Sequence, residues 1–473
     1  MGAKIYFGTD GWRARMDGDF TAENVRVVAQ GIATYLKRSG RGPRGAVVGY
    51  DTRRNSRNFA LHVASVIAGN YIPVIMLNRP APTPVAAFQV MHHKTGGAIM
   101  ITACHNPPVF NGIAFIPEYA GPALPNYTNR IELFIEETTP EDVRGIALTR
   151  IREKIQTLDP SDEYLRHLKR LIDVKTMRRA GLEIVYDPMH GTGTGYLDTL
   201  LRECGCEVLT INADHDPDFG GAAPDPKEPS LVELCKRVSS TGSALGLATD
   251  GDADRAAACD EKGGYLSPNK VFGILYLHLI KSGRGGNVVR NIATTHLVDA
   301  IAQRYGYEVV EVPVGFGHVA KELRRGAALG GDESGGFSTC NHVSERDGIY
   351  SALLLAEAVS ASGEALSEMI EDIHEQFGEL HSGHVDIPFH KGDRQIVEKQ
   401  TASLQPKEIA GVRVEKRVTT DGVKFYLEDG SWLLLRISET EPSLRVYYES
   451  VDKKMATRLL REGEEMVAAS YPY

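Results

Sequence analysis

Apolar and polar positions along this chain alternate between two rhythms. "NVRVVAQGIATYLKRSG" spaces its apolar residues at helical intervals and ends at Gly40, which predicts a helix. "GAVVGYD" then runs apolar without interruption, as a strand buried on both faces does. The pair repeats as helix "NFALHVASVIAGN" with strand "IPVIML", then helix "PTPVAAFQVMHH" with strand "GGAIMITA". Strands alternating with helices predict right-handed crossovers and a mostly parallel sheet. The pattern restarts at "GLEIVYDPMHGTG" and again around "GNVVRNIATTHLVDAIAQRYG", which suggests three units of similar grammar and a history of duplication.

After about residue 385 the rhythm changes. "GVRVEKRVTTDGVKFYLEDGSWLLLRIS" reads as strands joined by Asp-Gly turns, hence antiparallel sheet, and "KKMATRLLREGEEMVAA" as an amphipathic helix covering it. The predicted class is α/β with four domains: α/β units at 1–150, 151–262 and 263–385, with mixed and mostly parallel sheets, and a smaller α+β sheet domain at 386–473. No low-complexity linker separates them, so they are expected to pack around a shared central cleft.

A chain of 473 residues is too long for one core, in keeping with several domains. Its net charge of -9 argues against nucleic acid or a membrane surface as the main partner, while leaving room for a phosphorylated small molecule in a local basic pocket. No stretch approaches the roughly 20 consecutive apolar residues of a membrane span, and "MGAKIYFGTDGW" has no signal-peptide core, so a cytoplasmic location is expected. The 6 cysteines are too few and too scattered for a disulfide scaffold. Cys204 and Cys206 read as a helix end turning into a strand.

Chemistry concentrates in four stretches. "ITACHNPPVFNG" ends a strand in a small-residue turn that presents Cys104 and His105, with nucleophile, metal ligand and remnant of a lost nucleophile as the readings of the thiol. "ATDGDADRA" sets Asp250, Asp252 and Asp254 at alternate positions of a Gly-containing turn after a strand. Three carboxylates so close repel one another unless a cation neutralises them, and an all-oxygen set suits Mg²⁺. Arg255 follows at once, so cation and guanidinium would face one anion. "GGDESGGF" offers Asp332, Glu333 and Ser334 as partners for sugar hydroxyls between paired glycines. "RISETEPSLR" groups Arg436, Ser438, Thr440 and Arg445 around a turn, a good phosphate receptor. "FGTDGWRAR" adds a tight turn with Arg13.

Taken in order, "FGTDGWRA", "TACHNPPVFNG", "DPMHGTG", "DGDADR", "VPVGFG", "GGDESGG" and "RISETEPSLRVY" resemble the α-D-phosphohexomutase superfamily, which includes phosphoglucomutase and phosphomannomutase. The resemblance covers nearly the whole chain. It implies four domains around a central cleft and a phosphorylated hexose as substrate, with a hexose 1,6-bisphosphate as the species that turns over on the enzyme. It also implies Mg²⁺ on the three aspartates, a sugar-reading loop at 332–334, and a loop at 436–445 for the phosphate that is not reacting. Cys104, His105 and Arg13 fall in the catalytic positions.

The chain departs from that pattern inside the pocket. Cys104 stands where the family has a phosphorylated serine, and Ala114 where "NGIK" supplies a lysine resembling a general acid/base. Gly317 and Cys340 stand where relatives carry lysines, and Glu439 replaces a small residue of the phosphate loop. Phosphoryl groups and Mg²⁺ both prefer oxygen to sulfur, and a Zn²⁺ ion would tolerate Cys104 among the aspartates. The sequence therefore predicts intact binding loops and a rebuilt transfer apparatus: an altered or weak mutase. The alternatives are a sugar-phosphate-binding homologue with another reaction, such as dephosphorylation, or a catalytically silent sensor.

Overall fold

In the computed structural model, which describes residues 5–9, 11–438 and 442–470, the strands gather into four sheets. The first contains β1 (Trp12–Arg15), β2 (Ala46–Tyr50), β3 (Val74–Leu77), β4 (Gly97–Ile101), β5 (Phe110–Pro117) and β6 (Gln156–Leu158), in the order β1-β5-β4-β2-β3-β6. Helices α1 (Ala22–Arg38), α2 (Ser56–Gly69), α3 (Thr83–His93) and α4 (Pro125–Glu136) accompany it. β2 and β4 are buried along their whole length, as their uninterrupted apolar runs require.

The second unit opens with α5 (Ser161–Leu168) and α6 (Val174–Ala180) and continues through β7 (Glu183–Asp187), α7 (Leu197–Glu203), β8 (Glu207–Thr210), α8 (Val232–Thr241), β9 (Leu245–Thr249), β10 (Ala256–Asp260) and β11 (Tyr265–Leu266). The third comprises α9 (Pro268–Lys281), β12 (Val288–Asn291), α10 (Leu297–Tyr305), β13 (Val309–Val312), α11 (Phe316–Leu323), β14 (Leu329–Gly331), β15 (Phe337–Thr339), α12 (Gly348–Ser362) and α13 (Leu366–Phe377). Their sheets run β11-β10-β9-β7-β8 and β13-β12-β14-β15.

The three units share one device. In each, a parallel strand turns back into an antiparallel neighbour: β4 into β5, β9 into β10, β14 into β15. The three connections carry Cys104, then Asp250 to Asp254, then Asp332 to Ser334. The similar grammar read from the sequence is thus a structural repeat, and the candidate chemistry sits at the same place in every copy.

The fourth unit comprises β16 (His381–Pro388), α14 (Arg394–Ser403), β17 (Glu408–Ile409), β18 (Val412–Val418), β19 (Val423–Leu427), β20 (Trp432–Ile437), β21 (Ser443–Ser450) and α15 (Lys453–Ser470), with sheet order β16-β21-β20-β19-β18-β17. Every pairing in it is antiparallel, as expected from its Asp-Gly turns.

The expected boundaries need correction at all three joints. β6 lies beyond residue 150 yet pairs with β3, β11 lies beyond 262 yet pairs with β10, and β16 spans 385/386 yet pairs with β21. Each polar turn marks the end of a run of helices and strands. At the first two joints a strand of 3 and of 2 residues next to it closes a sheet, too few to leave a periodicity to read; at the third, the 8-residue β16 straddles the boundary as the edge strand beside β21.

One buried core runs through the first three units, joining Met100 and Ile116 to Tyr186 and Leu247 and to Phe272 and Leu353. The fourth unit has its own core around Phe425, Leu433 and Leu459. A small cluster of Ile292, Ala293, Trp432, Leu434 and Tyr447 joins the two. Lys424 is buried in that joint, donating to the Ile292 carbonyl at 2.7 Å and lying 4.0 Å over the Trp432 ring. Burial, reinforced by Arg290, pushes its ammonium down to about 7. Among the described residues no single helix is long and apolar enough to cross a membrane. The very apolar α12 is instead the central core helix, packed against α6, α9 and β10.

Candidate active site

The chain leaves β4 at Ile101 and turns through Cys104 in the left-handed region, with φ of 51°. A non-glycine residue rarely sits there, and such strain gathers where surrounding structure over-determines a functional side chain. The Thr102 hydroxyl accepts from the Cys104 N–H at 2.8 Å. The Arg53 guanidinium donates to the carbonyls of Cys104 at 2.5 Å, Asn106 at 2.6 Å, Pro107 at 2.9 Å and Phe110 at 3.2 Å. Arg53 and its ion-pair partner Asp51, 3.1 Å away, are both wholly buried. Arg13 donates to the Asn106 side chain at 2.7 Å. The loop is clamped from below, with Cys104 at its apex.

The second connection meets it there. The Cys104 Sγ lies 3.1 Å from Asp250 Oδ2 and 3.5 Å from Asp254 Oδ1, and the His105 Nδ1 approaches the same sulfur at 3.4 Å. An added Cβ on Gly251 would sit 2.7 Å from the Cys104 carbonyl, so the two loops approach through a position that tolerates no side chain. Asp252 is held at the start of α3, accepting from the Thr83 hydroxyl at 2.6 Å, while its backbone carbonyl accepts from the Thr83 N–H at 2.9 Å. "DPMHGTG" serves this loop too: Thr192 donates its N–H to the Gly251 carbonyl at 3.0 Å.

The electrostatics are those of crowded anions. Burial, with Asp254 and Asp252 adding to it, pushes Asp250 well above the usual carboxylate range. Burial and then Asp254 raise Asp252 to about 6. Burial also pushes on Asp254, but Arg346 and Arg255 outweigh it and hold this carboxyl below its ordinary value. Burial and the three aspartates push the Cys104 thiol up, so without a cation it keeps its proton. Burial, then Arg255 and Arg13, hold His105 well below its usual range, so its imidazole is neutral.

Cys104, Asp250, Asp252 and Asp254 each offer a ligand atom, all within 4.8 Å of one another. Asp252 Oδ1 is buried and has no hydrogen-bond partner among the described residues. An orphaned carboxylate oxygen facing other carboxylates fits a bound divalent cation, for which the aspartates supply a hard, all-oxygen set. Calorimetry with Mg²⁺ checks this: the protein should take up the ion, and the triple Asp→Asn variant at 250, 252 and 254 should lose that uptake.

The third connection joins through Arg346, which sequence reading missed. Its guanidinium lies 3.1 Å from Asp254 and 3.3 Å from Asp332, tying the two loops together. Asp332, expected as a sugar partner, is already engaged within its own turn. Its Oδ1 accepts from the Ser334 N–H at 3.0 Å and hydroxyl at 2.6 Å, so the carboxylate is the buried organiser of its own turn. Glu333 accepts from Asn291 at 2.6 Å and faces the fourth unit, where Arg436 and Arg445 lie within its electrostatic reach.

Arg436 and Arg445 are direct cross-strand partners on β20 and β21. Like charges placed opposite one another destabilise a sheet unless anions separate them. Asp421 does so for Arg436 at 2.8 Å and Asp386 for Arg445 at 2.9 Å. Ser438 follows β20, buried, with its carbonyl accepting from Arg394 at 2.9 Å. Thr440 and Glu439 lie outside the described residues.

Lys227 is another cation that the sequence reading passed over. It pairs with Asp225 at 2.9 Å, and its charge adds to the burial that lowers both His105 in the first unit and His384 in the fourth. Glu345, buried next to Arg346, is pushed up to about 8 by burial, opposed by Arg346.

Four family models match the chain in order. They are described as phosphoglucomutase/phosphomannomutase alpha/beta/alpha domain I at residues 4–142, domain II at 162–264, domain III at 267–377, and the C-terminal domain at 394–465. The chain belongs to the phosphoglucomutase/phosphomannomutase family. A Thermococcus kodakarensis protein named "Phosphoglucomutase/phosphomannomutase" is 32% identical over 464 residues, covering 98% of each chain. A Methanothermobacter thermautotrophicus protein named "Probable phosphoglucosamine mutase" is 32% identical, covering 95% of each. A solved structure from Thermus thermophilus, named for phosphomannomutase, superposes with a TM-score of 0.86 at 31% identity over 99% of this chain and 100% of its own. These relatives place the chain in the α-D-phosphohexomutase superfamily, as the motifs implied, and its close homologues are named as phosphosugar mutases.

Within this family fold, the departing positions can be located. Ala114 lies opposite Met100 on the face of β5 that also carries Gly112 and Ile116. Ile116 belongs to the core shared with the second unit, so Ala114 is turned toward that unit. Gly317 sits in the first turn of α11, where an added Cβ would meet a Leu124 methyl at 3.0 Å. Cys340 is exposed just past β15.

Proposed function

We propose that this phosphohexomutase-family protein binds a phosphorylated hexose in the cleft with a divalent cation on Asp250, Asp252 and Asp254. It acts there as an intramolecular phosphotransferase whose transfer step is altered. The approach of the Cys104 sulfur to Asp250 and Asp254, at 3.1 and 3.5 Å, carries this reading. A side chain able to accept a phosphoryl group stands at the strained apex of one loop, against the cluster that would neutralise the transferred charge.

When bound, Mg²⁺ would supply that neutralisation; a Zn²⁺ ion would suit the same cluster with the thiolate included. Arg255, within 3.7 Å of Asp254, faces the same anion. Glu333 and Ser334 read sugar hydroxyls, with Asp332 holding their turn. Arg436, Ser438 and Arg445, together with Thr440, hold the phosphate that is not reacting, in competition with Asp421 and Asp386. His105, neutral and 3.4 Å from the sulfur, contacts the thiol, while ionisation of Cys104 rests on the bound cation and Arg255 rather than on this weakly basic imidazole. Arg13 orders the loop through Asn106.

Intact-mass measurement after incubation with glucose 1,6-bisphosphate and Mg²⁺ tests the reading. The expected result is a gain of one phosphoryl group that is absent in Cys104→Ala. No gain, together with no turnover of any hexose phosphate, would refute transfer through Cys104.

A further inference from the structure

α3 carries chemistry at both ends. Thr83 at its start holds Asp252, and His92 and His93 close its last turn. Glu163 on α5 comes up against them: its Oε2 lies 3.1 Å from His92 Nε2 and 4.0 Å from His93 Nε2. One nitrogen from each histidine and one Glu163 oxygen all lie within 4.8 Å of one another. Two ligands about 2 Å from a tetrahedral Zn²⁺ are about 3.3 Å apart, so the measured separations bracket what a shared ion needs.

An ordinary ion pair does not account for the arrangement. The His93 Nε2 and Glu163 Oε2 atoms are both shut off from solvent, and neither has a hydrogen-bond partner among the described residues. The His92 contact is short but poorly aligned for a hydrogen bond. Two atoms closed off from solvent, 4.0 Å apart and lacking hydrogen-bond partners, leave a separation that a shared ion would fill. The site also favours a cation on general grounds, because the carbonyl end of a helix carries partial negative charge.

We propose that His92, His93 and Glu163 form a second metal site, for a borderline transition cation of the Zn²⁺ class. It is separate from the aspartate cluster and ties the first unit to the helix that opens the second. Imidazole and carboxylate with no thiolate suit Zn²⁺ or Co²⁺ better than Mg²⁺. His92 remains substantially exposed, so water completes the coordination shell. Because the same helix holds Asp252 at its other end, an ion here would brace the aspartate loop against the first unit.

The test uses full-length protein with Cys104→Ala and Asp250→Asn, which disables the other cluster. Equilibrium dialysis against Zn²⁺ should show about one ion per chain, lost when His92→Ala and His93→Ala are added. Glu163→Gln should weaken binding by more than the roughly 10-fold typical of losing an outer-shell partner. Co²⁺ should give visible ligand-field bands that vanish in the His92→Ala/His93→Ala variant. Melting in chelator should be unchanged by these substitutions of half-exposed residues, which separates lost ligation from lost folding. Equal Zn²⁺ in parent and histidine variant, or no Zn²⁺ in the parent at micromolar concentrations, would overturn the proposal.

Discussion

Wild-type turnover of glucose 1-phosphate and mannose 1-phosphate should be poor, and Cys104→Ser with Ala114→Lys should raise it by more than the two single changes together. Serine at 104 presents a hard oxygen from the same strained apex, since Arg53 and Thr102 grip the backbone and leave the side chain alone. That oxygen still needs a partner to take its proton. The β5 register puts position 114 on the face turned to the second unit, and its neighbour on that face, Gly112, lies opposite Arg13. A lysine there would start from the face of β5 that Arg13 adjoins. Loss of positioned acid/base help costs about 10²–10⁴-fold, which sets the scale of the expected gain. Carrier and acid/base act as one unit, so their effects should not add independently. Assays with both sugar phosphates and a bisphosphate activator decide it. Wild-type rates in the ordinary enzyme range would mean that Cys104 with His105 does the work unaided.

Arg53→Met should destabilise the protein by about 3–5 kcal/mol, the usual cost of leaving one partner of a buried ion pair unpaired. Here Asp51 would be stranded without its cation, and the carbonyls of Cys104, Asn106, Pro107 and Phe110 would lose their donor. Arg53→Lys should recover little of the loss. A compact ammonium keeps the charge but cannot reach four carbonyls with a planar fork of donors. Denaturant melts of the two variants measure this, and a shift below about 1 kcal/mol, as found for surface pairs, would show that the clamp is dispensable.

The contrast between Arg53 and the aspartates shows what was legible beforehand. Asp250, Asp252 and Asp254 are neighbours in sequence, so their crowding and mutual repulsion could be read without a fold. Arg53, Thr83, Lys227 and Arg346 each act on residues far away in the chain, and nothing in "DTRRNS" or "SERDG" marks them. The bonds that Asp332 makes within its own turn were hidden for a related reason. A carboxylate between glycines looks free to bind a ligand until the turn closes and Ser334 donates to it. The alternation of helices and strands was clear because core burial imposes it. Of the edge strands that moved the domain boundaries, β6 and β11 are too short to carry a rhythm.

The division into four units is a division of ancestry rather than of mechanics. Three of them share one continuous apolar core, with α12 of the third packed against α6 of the second. They cannot slide past one another without exposing it. The fourth keeps a separate core and meets the rest through a small cluster around Trp432 and the strained burial of Lys424. The fourth unit is thus the one whose apolar interior is not continuous with the others, and polar contacts such as Val314 with Asp421 and His296 with Glu449 complete its joint. The loops bearing Cys104, the aspartates and Glu333 belong to the first three units, and Arg436 and Arg445 to the fourth. Any ligand held by both Glu333 and the paired arginines would therefore be held across that single joint.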